Sequence, residues 1–104
     1  MATNKKHGIS KHAYLELRYF CLQYRDFKRQ QLLGHCGLIE QAALEAGAEV
    51  YQPLLSSVTT GVTYEQMQAR GAGIPCGRRQ FYERRREFFR VLNGKKRGQG
   101  ENFS

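Results

Sequence analysis

The segment 77–92 places the strongest constraint on the fold, because its apolar residues recur with helical spacing. At 100° per residue, Phe81, Phe88 and Leu92 fall on one line of a helix. The opposite arc carries charged side chains, namely Arg79, Glu83, Arg86 and Arg90. No segment of the chain has the period-two alternation that is typical of a half-buried strand. The sequence therefore predicts an all-α fold, a small helical bundle.

The first part of the chain predicts one long helix. Apolar residues recur at i, i+3, i+4 and i+7 from about 12 to 33, and Ser10 is expected to cap the start. Gly34 and Gly37 predict a break after it. Residues 1–10 are polar and basic, so we expect a flexible arm there.

Two further helices are predicted in the middle of the chain. Residues 38–47 carry an inner apolar stripe and end at a glycine, which favours a helix stop. Residues 48–61 predict the next helix. We expect it to start late, because Pro53 is tolerated only near a first turn.

A helix-turn-helix is predicted at 62–93. Thr63 has the position of an N-cap for a short helix, with Gln66 completing a capping box. A tight glycine turn follows, and the apolar Ile74 is expected to plug the space between the two helices. The second, longer helix is expected to end near Gly94. The single helical domain thus spans 11–93, and 94–104 is expected to be a disordered tail.

The charge is strongly positive and unevenly placed. The chain of 104 residues has 17 Lys and Arg against 9 Asp and Glu, a formal net charge of +8. Residues 77–97 alone hold nine basic and two acidic side chains, whereas residues 34–76 hold one basic and four acidic ones. A surplus concentrated in this way favours a polyanionic partner, and double-stranded DNA fits a basic helix that follows a turn.

Two groups of residues are assigned to DNA. The first, here called the base-reading set, is expected to contact base edges in the major groove: Arg79, Gln80, Glu83 and Arg86. The second, the phosphate set, is expected to contact the DNA backbone: Arg78, Arg84, Arg90, Lys95, Lys96 and Arg97. Arg84 and Arg85 lie beside the aromatic line, so we expect them to extend along its surface.

Other interpretations of the basic helix stay open. Its charges are also compatible with a merely solvated face in which Glu83 and Glu87 pair with neighbouring arginines. A DNA-packaging initiation protein, similar to a small terminase subunit, is an alternative role on DNA. A protein-interaction module that docks on host RNA polymerase or another host factor is an alternative from a different class.

The sequence predicts no enzyme, cofactor, metal or membrane partner. No nucleophile–base pattern, nucleotide-binding loop or zinc-type cysteine spacing is present. No apolar run is long enough to span a membrane. Three widely spaced cysteines suggest a reducing cytoplasm, with Cys21 in the core. Cys76 is expected to have a lowered pKa among the arginines, which would suit a redox switch; the alternative is that it is a small residue at a helix N-cap. The aromatics of the first helix, including Tyr19, are interpreted as core rather than as a stacking platform.

Three segments carry a family resemblance: "AYLELRYFCLQY" (13–24), "LIEQAALEAG" (38–47) and the stretch 61–92. They resemble phage-encoded transcriptional regulators of the RinA/ArpU type, although the "LLGHCG" connection is shorter than the charged spacer expected in relatives. The resemblance implies a helix-turn-helix similar to sigma factor region 4, with 64–70 as supporting helix and 77–92 as recognition helix. It implies control of late phage genes in the cytoplasm of a bacterial host. For such a regulator we also expect a contact between the acidic middle and host RNA polymerase. A homodimer on repeated half-sites is expected because a single helix-turn-helix has a small footprint on DNA.

Overall fold

The computed structural model describes residues 9–103, with side chains through residue 98, and this part of the chain contains helices and no strand. Its elements are α1 (Lys11–Leu22), α2 (Tyr24–Arg29), α3 (Leu33–Gly47), α4 (Tyr51–Thr60), α5 (Tyr64–Ala69) and α6 (Arg78–Phe103). A single 3₁₀ turn, Ala48–Val50, joins α3 to α4. The predicted all-α fold class is confirmed.

Helix α6 is the central element of the bundle, packed against α1, α3, α4 and α5. Phe81, Phe88 and Leu92 are fully buried, so the predicted apolar line of this helix is confirmed. Phe89 is also buried and packs edge-on against Tyr14 of α1, with 5.0 Å between ring centroids. Burying an aromatic side chain of this size contributes roughly 1.5–3 kcal/mol, so α6 supplies much of the driving force for folding.

Helix α3 makes the most extensive contact with α6, and most of its inner face is made of small residues. Ala42 and Ala43 are fully buried, together with Ile39. At the end of α3, a Cβ added to Gly47 would lie 3.1 Å from the Cδ of Arg84. The glycine therefore leaves the space in which the Arg84 side chain crosses from α6.

The predicted long first helix is wrong, because the chain bends twice within 12–33. At Gln23 the backbone leaves the helical region, and α2 then ends at Arg29. A second bend follows, in which Gln31 has a φ of 59°. The bends bring Phe27 against His35, with ring centroids 4.9 Å apart. The two bends allow Phe27 to be buried. The helical spacing of the apolar residues does not predict such bends.

The predicted break at Gly34 and Gly37 is also wrong. Both glycines lie inside α3, which begins at Leu33. The amides of His35 and Cys36 donate to the carbonyl of Leu32 at 3.1 and 3.2 Å and close the first turn. A helical glycine costs about 1 kcal/mol relative to alanine, and burial of Cys36 on the same turn offsets that cost.

Several predicted helix ends are confirmed. The Oγ of Ser10 accepts a hydrogen bond from the amide of Ala13 at 3.1 Å and caps α1. Helix α4 starts late, at Tyr51, so that Pro53 falls in its first turn. Ile9 is buried in the core, so the predicted flexible arm of 1–10 does not include it. The remainder of that arm, residues 1–8, lies outside the described residues.

The predicted end of the last helix near Gly94 is wrong, because α6 continues to Phe103 through the segment expected to be a disordered tail. Two lysines attach this extension to the domain. The Nζ of Lys95 donates to Glu45 of α3 at 2.7 Å. The Nζ of Lys96 lies 3.8 Å from the centre of the Phe20 ring. These two contacts offset the low helix propensity of Gly94.

Candidate nucleic-acid interface

The short helix α5 begins with the predicted capping box. The Oγ1 of Thr63 accepts from the amide of Gln66 at 3.1 Å, and the Gln66 side chain accepts from the Thr63 amide at 2.9 Å. Two of the free amides at the helix start are thereby satisfied. The start of α5 is fixed by its own sequence, as predicted.

The connection between α5 and α6 is longer than the predicted tight turn. It runs over eight residues, 70–77, whereas the turn of a helix-turn-helix has about three to four. Gly71 and Gly73 adopt φ values of 81° and 64°, which favour glycine. Ile74 is buried, as expected for a plug, and its amide donates to the side chain of Gln68 at 3.3 Å. The helix-turn-helix itself therefore stays a prediction.

Two tyrosines hold the start of α6 against α5. The hydroxyl of Tyr64 donates to the carbonyl of Cys76 at 2.7 Å. The hydroxyl of Tyr82 accepts from the amide of Tyr64 at 3.1 Å. An ion pair between Arg78 and Glu65 adds a third link. Sequence reasoning missed this positioning role; the one signal for it was the place of Tyr82 beside the apolar line of α6.

The base-reading set lies on the side of α6 that faces away from the core. All four side chains are exposed. Arg79 is 94% exposed and pairs only loosely with Glu83, at 3.8 Å. Arg86 makes no ion pair with any side chain that the structure describes. From Arg79 to Arg86 the set spans about 10 Å of helix, so the structure brings these residues together on one surface.

The phosphate set is divided by the structure into held and exposed members. Arg84 donates to Glu49 at 2.8 Å, and Lys95 and Lys96 make the contacts to Glu45 and Phe20 given above. Arg90 pairs with Glu87 of its own helix. The members with exposed side chains are Arg78, Arg90 and Arg97. Among the described residues, the basic side chains of α6 therefore form more ion pairs with other elements than within α6.

The extension of α6 changes the position of one phosphate-set residue. In a helix, Arg97 lies eighteen residues after Arg79, which is five whole turns and therefore the same face. The two side chains are about 27 Å apart along the axis. A disordered tail, as predicted from the sequence, would place Arg97 on no particular face. The structure continues the outer face of α6 as far as this residue.

Arg85 has a structural environment. Its Nε donates to the Oγ of Ser57 at 3.1 Å, and Ser57 is buried. A further nitrogen donates to the hydroxyl of Tyr14 at 3.4 Å. The guanidinium lies 5.2 Å from the centre of the Phe89 ring. The predicted course along the aromatic surface is confirmed, and Arg85 ties α6 to α1 and α4.

Electrostatics around the interface follow the ion pairs. Hydrogen bonds from Lys95 and Arg90 hold the pKa values of Glu45 and Glu87 below the usual range. At Glu49 and Glu65 the main cause of a lowered pKa is the residue's own backbone amide, with Arg84 and Arg78 adding to it. These four carboxylates are therefore ionised at neutral pH.

The expectation of a lowered pKa at Cys76 is wrong. Partial burial raises the pKa of this thiol, and Glu49 raises it further, more than Arg84 lowers it. The arginines that were expected to activate Cys76 point to carboxylates instead. At neutral pH the thiol is protonated, so the environment of Cys76 does not favour a redox switch.

Other kinds of site have little support in the described part of the chain. All three cysteines are free thiols, and burial raises the pKa of Cys21 to about 12. Residues 9–103 contain no cluster of His, Cys, Asp and Glu side chains that could hold a metal ion. Within the same range, no helix has the length and apolar character needed to span a membrane. Among the aromatics of α1, Tyr19 is 69% exposed and so is not part of the core.

Comparison of the chain with protein-family models, with curated proteins and with solved structures gives no match. The resemblance to RinA/ArpU-type regulators therefore stays a prediction that rests on the sequence segments alone. The feature of the structure that bears on function is the outer face of α6.

Proposed function

We propose that this protein binds double-stranded DNA in a sequence-specific manner and regulates transcription, with α6 in the major groove. One observation carries the proposal. The helix that forms the centre of the core also presents an outer face on which Arg79 and Arg86 are exposed and weakly paired or unpaired among the described side chains. A rigid helix with free guanidinium groups on one face is what reading of base edges requires.

The dimensions of α6 fit a major groove. An α-helix with its side chains is about 10–12 Å wide, and the groove is about 12 Å wide. Arg79 and Arg86 can each bind the O6 and N7 atoms of a guanine through two hydrogen bonds. Gln80 can bind adenine in the same way, and Glu83 can accept from the amino group of cytosine.

Backbone contacts would come from both ends of α6. Arg78 lies at the N-terminus, where helix amides also favour a phosphate. Arg97 lies about 27 Å from Arg79 on the same face, which is far enough for it to reach the strand beyond the groove. The held members of the phosphate set, such as Arg84 and Lys95, would have to exchange their carboxylate partners for a phosphate in order to contact the DNA backbone.

The proposal is tested by selecting bound duplexes from a random pool and then titrating the winning duplex. We expect Arg86→Ala to weaken binding to that duplex by about tenfold or more and to relax preference at one base pair. Arg97→Ala is the matched control on the same face, and it is expected to weaken all duplexes alike and to reduce the salt dependence. Absence of binding to any duplex at low salt would refute the DNA function.

Phage origin and late-gene control belong to the same proposal and rest on the sequence resemblance. In that setting the protein acts in the cytoplasm of the bacterial host, and the acidic middle of the chain, residues 34–76, is the proposed contact for host RNA polymerase. A transcription assay on a template that carries the selected motif, with host polymerase added, tests this step. Unchanged transcript levels with and without the protein would leave DNA binding standing and remove the regulatory role.

A further inference from the structure

Helix α1 exposes an apolar stripe on the side away from the core. Leu15, Tyr19 and Leu22 are 49%, 69% and 40% exposed, and they follow one another at i, i+4 and i+7. Leu17 and Cys21, on the other side of the same helix, are buried. The helix is therefore apolar on two faces, and only one of them is covered by the part of the chain that the structure describes.

Charges flank this apolar stripe in an ordered way. On a helical wheel, Lys11 and Arg18 lie along one edge, and Glu16 lies along the other. All three side chains are exposed. Among the described side chains, Glu16 has one ion-pair partner, His12 on the same edge, whose Nε2 is 3.2 Å away and whose side chain is 86% exposed. One edge of the stripe is thus basic and the other acidic.

We infer that the apolar stripe is a surface for self-association, on which α1 of a second copy packs in parallel. A parallel pair related by a twofold axis along the helices sets the basic edge of each copy against the acidic edge of the other. In heptad terms Leu15 and Leu22 take d positions, and Tyr19 takes an a position. Lys11 and Glu16 then take g and e positions, where ion pairs form between parallel helices.

The charges also argue against the opposite orientation. In an antiparallel pair, equal edges meet, so that Lys11 and Arg18 of one copy would face the same basic residues of the other. Like charges that face each other across the contact between two helices are destabilising. The complementarity of the two edges therefore selects a second copy in parallel orientation as the occupant.

The size of the stripe sets the strength of the association. Three large apolar side chains cover less than the roughly 800 Å² per partner of a standard interface. Each copy also carries a formal net charge of +8, which opposes association at low salt. We expect a reversible dimer with a dissociation constant in the micromolar range or weaker. This inference goes beyond the proposed function, because it concerns the free protein.

Sedimentation equilibrium of the full chain without DNA tests the inference. The wild-type protein is expected to dimerise as its concentration rises from the micromolar into the millimolar range. Tyr19→Glu is expected to raise the dissociation constant at least about tenfold, since it places a charge in the contact on both copies. Leu33→Glu is the matched control: this leucine is equally exposed, at 69%, but belongs to α3. Circular dichroism checks that both variants fold.

A charge exchange tests the orientation. Lys11→Glu alone is expected to weaken the dimer, because the carboxylate that it introduces faces Glu16 of the second copy. The double variant K11E/E16K is expected to restore the dimer, since opposite charges then meet again. A dimer that Lys11→Glu strengthens would overturn the parallel arrangement. A protein that stays monomeric at all concentrations, or that Leu33→Glu weakens as much as Tyr19→Glu, would overturn the assignment of the stripe to a second copy.

Discussion

Arg84 and Arg86 lie two residues apart on α6, yet their surroundings differ in every respect. Arg84 crosses Gly47 and donates to Glu49 at 2.8 Å. Arg86 is exposed and has no ion-pair partner among the described side chains. Both count equally in the net charge that first suggested a nucleic-acid partner. The difference teaches that angular position relative to the buried line of α6 decides which arginine holds the fold and which is free for a ligand.

The largest effect is expected from the buried side of this comparison. Phe88→Ala should lower the free energy of unfolding by about 3–5 kcal/mol, because it removes a fully buried ring and leaves a cavity. Arg86→Ala should change it by less than about 0.5 kcal/mol. Urea unfolding followed by circular dichroism measures both. Equal losses would show that the two faces of α6 are not distinct.

A smaller effect is expected within the arginines themselves. Arg84→Ala should lower the free energy of unfolding by about 1 kcal/mol, since the methylenes that pack across Gly47 are lost. Arg79→Ala is the control, because its side chain is 94% exposed. The same urea titration compares them. If Arg84→Ala proved as neutral as Arg79→Ala, the distinction between held and exposed arginines would fail.

A stabilising effect of similar or smaller size is expected at the extension of α6. Gly94→Ala should raise the free energy of unfolding by about 0.5–1 kcal/mol, because alanine favours a helix and the added Cβ would meet no atom within 4 Å beyond the neighbouring backbone of its own helix. Gly61→Ala is the opposite control, since Gly61 has a φ of 83° that alanine tolerates poorly. If Gly94→Ala left the free energy of unfolding unchanged, α6 would end near Gly94, as the sequence predicts.

The smallest effect on stability for each ionisable group is expected when the pH is lowered. The pKa values of Glu45 and Glu87 are lowered in the folded protein, and the ordinary value is 4.5. Their ionised forms therefore stabilise the fold above about pH 4.5, and this stabilisation is lost as the pH falls through the folded values. Glu45→Gln should flatten the decline of the urea midpoint between neutral and acid pH. An unchanged slope would mean that the Lys95 contact contributes nothing in solution.

Much of the fold could be predicted where local chemistry decides the structure. The N-caps at Ser10 and Thr63 depend on residues three positions apart. The line of Phe81, Phe88 and Leu92 depends on helical spacing alone. For the same reason, the outward position of the base-reading set follows from the sequence once the helix is assumed.

The remaining features depend on contacts between distant parts of the chain. The bend after α2 is favoured because Phe27 reaches His35, and the continuation of α6 because Lys95 reaches Glu45. Neither contact is visible in a helical wheel of one segment. Gly34, Gly37 and Gly94 predict helix breaks, but tertiary contacts outweigh their local preference. The pKa of Cys76 could not be predicted because the orientation of nearby arginines was unknown.

The separation of the two faces of α6 also bears on how such a protein can change over generations. The base-reading set contributes almost nothing to the stability of the domain, since its members are exposed and make at most one loose ion pair among the described residues. Substitutions at these four positions are therefore nearly neutral for folding. A lineage can explore new target sequences there without passing through unfolded intermediates, and a laboratory library at the same positions should consist almost entirely of folded proteins.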